Sequence, residues 1–428
     1  MRLVWALLIG AACAGVPGAA LAQAVDPIEG LVVREIRISG LRNLSPAVVE
    51  RHLATRAGAP FRRTLLATDQ RRLDELRLFT AVELDPRLEN DGVVLHVVVT
   101  ETLRLLPVLI ISVTDENGLS AGPGLRGLNL LGGETQTGVA VRFGGETGVS
   151  ATLDRTTITP GAWPVHLGFS YSKRENPLYD FEERATSAVA RVSHNWKRGL
   201  STGVMADVLR LDTGASGASL SADGTDVIPT VGAFFSVDTL DSSTDPRAGM
   251  WAEVEVDRLF GDAQSWTFIV DGRRFQRLSD RHGVGLFALA TFQTGEVGVA
   301  LPEYLQFSLG GANSVRGWGL GSRIGRNQFI GTFEYTYVML PVRAFSLAGL
   351  NLYGGMQLVG FADLGLTPAT GSEPDGESAI DGYGIGLRFL VPFVDVIRLD
   401  VAWGEPDRGA SAYFGVSLKA SRQRSRVR

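Results

Sequence analysis

The sequence predicts a transmembrane, all-β protein: an antiparallel barrel of about sixteen strands behind one small α+β domain. Three observations carry that expectation. The chain opens with a secretory signal. No later stretch stays apolar for the ~18 residues or more that a spanning helix needs. From residue 104 onward, segments of roughly ten residues with alternating polarity are separated by turn residues, the pattern of a membrane barrel.

The signal comes first. Arg2 precedes an apolar run from Leu3 to Ala14, and Ala20-Leu21-Ala22 offers a cleavage site, so residues 1–22 read as a removed leader. The run is too short for a retained anchor. Cys13, the one cysteine, lies inside it, and Gly10 three residues earlier fits a lipidation site poorly. Beyond residue 22 there is no thiol, which excludes disulfides, thiol catalysis and thiolate metal sites. The chain is 45% hydrophobic and 20% charged, a balance of folded rather than disordered proteins. A net charge of −5 spread along the chain gives no nucleic-acid footprint. The 52 glycines suit turns and close strand contacts more than long helices.

Residues 27–103 read as β-α-α-β-β. Leu31 to Ser39 alternates and is rich in Val and Ile, and Gly40 ends it. Ser45 caps a helix to Leu53 with Pro46 at its first position. After the break at Gly58-Ala59-Pro60, Thr64 starts a second helix with Leu65, Leu66, Leu73, Leu76 and Phe79 on one apolar face. Ala81 to Leu84 is a short strand, Asn90-Asp91-Gly92 a turn, and Val93 to Val99 a long strand. This order resembles the polypeptide-transport-associated (POTRA) domain. Such a domain offers a sheet edge, here Ala81, Val82, Glu83 and Leu84, to which an extended client strand can add. A domain that only spaces or plugs the barrel fits the same residues.

Residues 104–420 supply the barrel and 421–428 a basic tail. Alternation is clearest late in the chain. Ile397, Leu399, Val401 and Trp403 oppose Arg398, Asp400 and Ala402. Ile385, Leu387, Phe389 and Val391 oppose Gly384, Gly386 and Arg388; Phe333, Tyr335 and Tyr337 oppose Glu334 and Thr336; Phe414, Val416 and Leu418 oppose Gly415 and Ser417. The apolar faces would meet lipid. A soluble sandwich also alternates, but the long run of strands without helices favours the membrane. So do the aromatic residues near strand ends: Trp163, Trp196, Trp251, Trp266, Tyr353 and Trp403. Sixteen segments start near Leu105, Leu119, Glu134, Val149, Pro164, Thr186, Leu200, Val227, Met250, Ser265, Gly283, Gln328, Gly355, Tyr383, Val394 and Ala412. An even count lets the first and last strands close the wall, as lipid requires.

The longest connection, about Pro302 to Asn327, contains Leu309-Gly310-Gly311-Ala312-Asn313-Ser314-Val315-Arg316-Gly317-Trp318. It resembles the [VI]RG[FYW] motif in the sixth extracellular loop of the BamA/TamA-type outer-membrane assembly-factor superfamily, which joins POTRA domains to a surface-antigen-type barrel. Phe361-Ala362-Asp363-Leu364-Gly365, the turn Asp245-Pro246-Arg247-Ala248-Gly249 and Asn129-Leu130-Leu131-Gly132 match further family motifs in the right order. By parity, Glu334 and Asp363 face the lumen on adjacent strands, and Phe361 shares their side. The resemblance implies that Val315, Arg316, Gly317 and Trp318 fold into the barrel. There Arg316 would pair with Asp363 and Glu334, Gly317 would allow a tight turn and Trp318 would pack on the wall. On residues alone, a solvated loop arginine and two pore-lining acids account for the same pattern. Unlike most members, the chain shows one POTRA-like unit and no room for a plug helix, and a basic tail follows the terminal strand.

No enzyme is expected. Gly199-Leu200-Ser201-Thr202-Gly203 fits a nucleophile elbow, but a strand follows where a helix is required. His52, His96, His166, His194 and His282 show no metal-ligand spacing, and Gly382, Gly384 and Gly386 form a row on one strand face rather than a phosphate loop. Neither metal nor cofactor is implied. The resemblance implies an outer-membrane factor that captures unfolded client polypeptides in the periplasm. It would insert or translocate them at a weak lateral seam between the first strand (Leu105, Pro107) and the last (Phe414, Gly415). Its partners would be the outer-membrane bilayer, client polypeptides and a periplasmic or inner-membrane accessory protein. A passive porin-like channel and a dedicated transporter for one passenger are the alternatives.

Overall fold

The computed structural model describes residues 27–417, apart from 77, 102, 115–116, 133, 156–160, 180, 198, 215, 243–244, 348–349, 369–378 and 392–394. The leader expected at 1–22, the strand end expected at 418–420 and the basic tail at 421–428 lie outside the described residues.

The small domain runs β1 (Val33–Ser39), α1 (Pro46–His52), α2 (Arg63–Glu75), β2 (Phe79–Glu89) and β3 (Gly92–Glu101). Its sheet order is β1-β3-β2, with β1 parallel and β2 antiparallel to the central β3. β3 is buried from Gly92 to Leu95 and then alternates, with Val97 and Val99 buried and Val98 exposed. The helices cover one face, and Val48, Val49, Leu53, Leu73, Leu95, Val97 and Val99 form the core. Ser45 caps α1 by accepting from the Ala47 amide at 3.3 Å, with Pro46 where no backbone donor is needed. Glu101 at the end of β3 accepts from the Arg42, Asn43 and Leu44 amides at 2.8–3.0 Å, which fixes the approach to α1.

Two expectations change here. Phe79 does not continue the apolar face of α2; it opens β2 and is buried from there. The strand expected over Ala81–Leu84 spans Phe79–Glu89, because the Asn90-Asp91 turn, both residues at positive φ, lets it pair with β3 along its whole length.

The barrel wall is one 16-stranded antiparallel sheet. Its strands are β4 (Leu105–Thr114), β5 (Gly118–Leu128), β6 (Thr135–Gly144), β7 (Glu146–Arg155), β8 (Val165–Glu175), β9 (Glu182–Lys197), β10 (Leu200–Asp212) and β11 (Thr225–Asp238). They continue with β12 (Gly249–Leu259), β13 (Trp266–Arg277) and β14 (His282–Gln293). After a loop containing the hairpin β15 (Phe307–Leu309) and β16 (Arg323–Gly325) come β17 (Gln328–Leu347), β18 (Leu350–Leu366), β19 (Ala379–Val391), β20 (Asp395–Trp403) and β21 (Ser411–Ser417). Every wall strand pairs with its neighbour in sequence, β14 pairing with β17 across the loop. β21 returns beside β4, but among the described residues no hydrogen-bonded ladder joins them.

The alternation sorts as the sequence reading expected. On β19 and β20, Ile385, Leu399, Val401 and Trp403 are exposed on the outer face, while Gly384, Gly386, Arg388, Asp400 and Ala402 are buried inside. Trp251 departs from the aromatic girdle. It shares parity with Glu253, Glu255 and Asp257 on β12, so it points into the lumen and packs against the Arg273 guanidinium at 5.1 Å. Ser201 lies inside β10, its hydroxyl 2.8 Å from that of Ser236 on β11, and Gly199 at φ +74° makes the hairpin turn before it.

The small domain is clamped to the barrel. Leu128, at the end of β5, is buried in the core of the small domain, and Leu106 of β4 packs against it. Arg104 donates to the carbonyls of Asn129 and Leu130 at 2.9 and 3.2 Å. In the turn between β5 and β6, Glu134 lies 2.9 Å from His52 Nε2 and 3.2 Å from Arg51 Nη1, both at the end of α1.

Burial raises the affinity of Glu134 for a proton. The His52 hydrogen bond, with the charges of His52, Arg51 and Arg155, outweighs it and holds the carboxyl below its ordinary range. A depressed carboxyl stabilises docking above the free value, about 4.3, and loses that contribution as pH falls through the docked value. Amide protection over residues 46–53 in the full-length protein is therefore expected to drop below about pH 4. Glu134→Gln is expected to show the drop already at neutral pH. Equal protection in both proteins would remove this carboxylate from the clamp.

Candidate functional site: an arginine loop folded into the barrel

The loop between β14 and β17 is anchored at its base. The Tyr304 hydroxyl donates to Asp226 of β11 at 2.6 Å, and Leu301, Tyr304 and Leu305 pack with Leu211 and Ile228 of the wall and with Phe181 just before β9. The hairpin β15–β16 then carries the chain toward the lumen and back. Its tip is closed locally. Gly310 takes φ +106°, its amide donates to Ser314 Oγ at 2.8 Å, and that hydroxyl donates back to the Gly310 carbonyl at 2.6 Å. Val315 is fully buried among Leu309, Ile330 and Ile380.

Arg316, only 4% exposed, ends inside the barrel. Its guanidinium binds Asp363 on β18 in a fork, Nε to Oδ2 at 2.7 Å and Nη2 to Oδ1 at 2.9 Å. The Arg316 amide also donates to Asp363 Oδ2, at 3.1 Å. Nη2 reaches Glu334 on β17 at 3.2 Å, and the guanidinium carbon stands 3.3 Å over the Phe361 ring. Thr332 on β17 donates to Asp363 Oδ1 at 2.8 Å. Gly317, at φ +95°, turns the chain, and its carbonyl accepts from the Glu405 amide at 3.0 Å. Trp318 donates from its indole to the Asp381 carbonyl at 2.7 Å, at the mouth of the barrel.

The structure thus brings Val315, Arg316, Gly317, Trp318, Glu334, Asp363 and Phe361 into one site. It also adds residues that the sequence reading had only placed on the inner face. Asp400 of β20 is a third acid, 3.0 Å from Arg316 Nη1. Arg388 of β19 hydrogen-bonds Asp400 and lies 3.5 Å from Glu334, and Arg398 of β20 lies 3.6 Å from Asp400. Three cations therefore face three acids, and inner-face parity on β19 and β20 was the available signal. Tyr413 of β21 shares the inner parity of Gly415 and Ser417, but nothing in the sequence linked it to the loop; its hydroxyl accepts from the Gly317 amide at 2.9 Å.

The glycine row on β19 explains how the loop fits. A Cβ at Gly382 would overlap the Arg316 carbonyl oxygen. At Gly384 it would overlap the Phe361 ring edge, and at Gly386 the Asp400 carboxylate. The row is a slot cut for this cluster.

The remaining predicted residues lie elsewhere. Leu105 and Pro107 are exposed on the outer face of β4, and Phe414 is exposed on β21. Gly415 faces inward beside the Arg398 guanidinium, which a Cβ would approach to 3.2 Å. Ala81, Val82, Glu83 and Leu84 lie on β2, an edge strand of the small domain, where Gln70 of α2 donates to the Val82 carbonyl at 2.6 Å.

Residues 129–419 match the Omp85 superfamily domain, and residues 31–102 match a POTRA domain described as a surface antigen variable number repeat. The chain belongs to the Omp85 superfamily. Among solved structures, this Omp85 protein is similar to BamA from Haemophilus ducreyi lacking POTRA domains 1–3. That match has 15% identity and a TM-score of 0.56, over 90% of this chain and 83% of that one. CdiB from Escherichia coli gives 17% identity and a TM-score of 0.57 over 91% and 76%. CdiB from Acinetobacter baumannii gives 16% and 0.53 over 91% and 74%. These likenesses show a shared fold. No curated protein matches the chain in sequence. Omp85 membership makes this an outer-membrane protein with a periplasmic POTRA domain, working in outer-membrane protein assembly or translocation on unfolded polypeptide clients.

Removing one partner from a buried charge cluster costs about 3–5 kcal/mol, because the others stay buried without their countercharge. Arg316→Ala is expected to lower the urea unfolding midpoint of the barrel correspondingly. Gly382→Ala removes no charge, yet is expected to lower it too by pushing the Arg316 backbone out of its slot. A midpoint unmoved in either variant would argue that the loop contributes nothing to holding the barrel.

Proposed function

We propose that this Omp85 protein captures unfolded clients on its POTRA domain and inserts or translocates them at a lateral seam between β4 and β21. The observation that carries the reading is the pairing of two features. The loop is held inside the lumen by Arg316, and the two terminal strands share no ladder among the described residues. A wall closed on all sides would give client strands no backbone to pair with. Here β4 offers an edge on which Pro107 lacks an amide to donate, and β21 offers the other through Phe414 and Gly415.

In the periplasm, the edge of β2 at Ala81–Leu84 would add a client strand by main-chain hydrogen bonds. Gln70 occupies one acceptor of that edge and would give way on binding. The clamp at Leu128 and Glu134 keeps this edge at a fixed place beside the first barrel strands. In the lumen, Val315–Trp318 locked on Glu334, Asp363 and Phe361 keeps the barrel mouth filled while the seam works. No covalent chemistry, nucleotide or metal enters the reading.

The test is the folding of an unfolded barrel client into liposomes with and without this protein. Acceleration by roughly tenfold or more is expected, about 1.4 kcal/mol off the barrier. It should be lost in Arg316→Ala and on deleting residues 27–103. Deletion uncovers Leu128, so Val82→Pro gives a cleaner arm. Val82 directs its amide and carbonyl to the open side of β2, and proline there blocks strand addition. No acceleration by a correctly folded protein would favour a dedicated exporter of one passenger.

A further inference from the structure

We propose that Tyr413 is a positioning residue through which the arginine loop holds the last barrel strand, so that loop and seam release together. The inference rests on the lateral-seam reading above and assigns the contact that regulates it.

Tyr413 sits on β21 with its side chain turned inward and only 7% exposed, packed against Ala312, Phe361 and Ala402. Its hydroxyl is used in both directions. It accepts from the Gly317 amide at 2.9 Å and donates to the Trp318 carbonyl at 3.2 Å. A phenol can do both at once, which no aliphatic or acidic side chain of that reach can. Arg316 and Gly317 are consecutive, yet they bind different strands. Arg316 engages β17, β18 and β20, whereas Gly317 engages β21. The loop therefore spans the wall from the interior strands to its very end.

A second tie supports the first. From β20, Arg398 Nη2 donates to the Ala312 carbonyl at 3.0 Å and to Asn313 Oδ1 at 3.4 Å, one turn earlier in the same loop. The strand that Arg398 occupies is the ladder partner of β21, where Arg398 pairs with Gly415. β21 is thus attached in two ways among the described residues: sideways by its ladder to β20, and from inside by the loop through Tyr413. Its other edge lies beside β4, with no ladder between them among the described residues. Withdrawal of the loop would strip the inner attachment and leave a terminal strand held on one side only, the state in which it could exchange partners with a client strand.

The test is hydrogen exchange on the full-length protein in bilayers. Tyr413→Phe keeps the ring and its packing and removes only the hydroxyl. Exchange over residues 411–417 is expected to quicken about tenfold, as for loss of the two modest hydrogen bonds of this hydroxyl, while residues 357–364 of β18 stay protected. Arg316→Ala should loosen both segments. The double variant should expose residues 411–417 no more than Arg316→Ala alone, since the hydroxyl acts through the loop; a purely structural role for Tyr413 would add. Unchanged exchange at 411–417 in Tyr413→Phe, or additive exposure in the double variant, would overturn the proposal. The measurement uses no client, so it can fail while client insertion succeeds, and the reverse.

Discussion

Lipid offers no hydrogen bonds, so a strand wall in a membrane must satisfy every backbone amide and carbonyl within itself. That constraint sets the antiparallel order of the sixteen strands and the strict alternation of their side chains. It also makes the two ends of the sheet the one place where the rule is under strain. The buried charges of the lumen are best understood against it. Asp363, Asp400 and Glu334 stand on β18, β20 and β17, and Arg316 binds all three. One loop side chain thereby ties three strands in the half of the wall that runs to its open end. Arg388 and Arg398 neutralise what Arg316 alone would leave in excess, so this buried cluster carries balanced charge.

Much of this was legible in the sequence. Side-chain period in a strand is two, so parity alone put Glu334, Asp363, Phe361, Arg388, Arg398 and Asp400 inside and Ile385, Leu399 and Phe414 outside. Turn residues placed the strand starts within a few positions of where they fall; Leu105, Leu200 and Gln328 begin their strands as expected. The loop motif pointed to Arg316, and the glycine row on β19 was visible, although its purpose was not. What stayed hidden depended on register. Asp400 is 84 residues from Arg316, and only the pairing of β18 with β19 and of β19 with β20 brings it across. Tyr413 was hidden for the same reason. Local pattern also misled where two periods met. Phe79 kept the spacing of α2 but belonged to β2, and Trp251 had the position of a girdle residue but the parity of a lumen one.

The same register logic explains why small residues carry so much of the site. The slot beneath Arg316 exists because Gly382, Gly384 and Gly386 repeat at the strand period on the face toward the lumen. Strand interiors normally disfavour glycine, which packs nothing and loses more freedom on ordering. Here the missing side chains are replaced by another part of the chain, and the loop fills the volume that a row of ordinary residues would have taken.

Leu128 has a further consequence. It belongs to the second barrel strand, yet it is part of the core of a domain that precedes the barrel in the chain, and Leu106 of the first barrel strand packs against the same core. The first hairpin and the small domain therefore share apolar surface. Pulling the two apart would expose that surface on both, so the junction is a continuation of one core rather than a tether between two finished bodies.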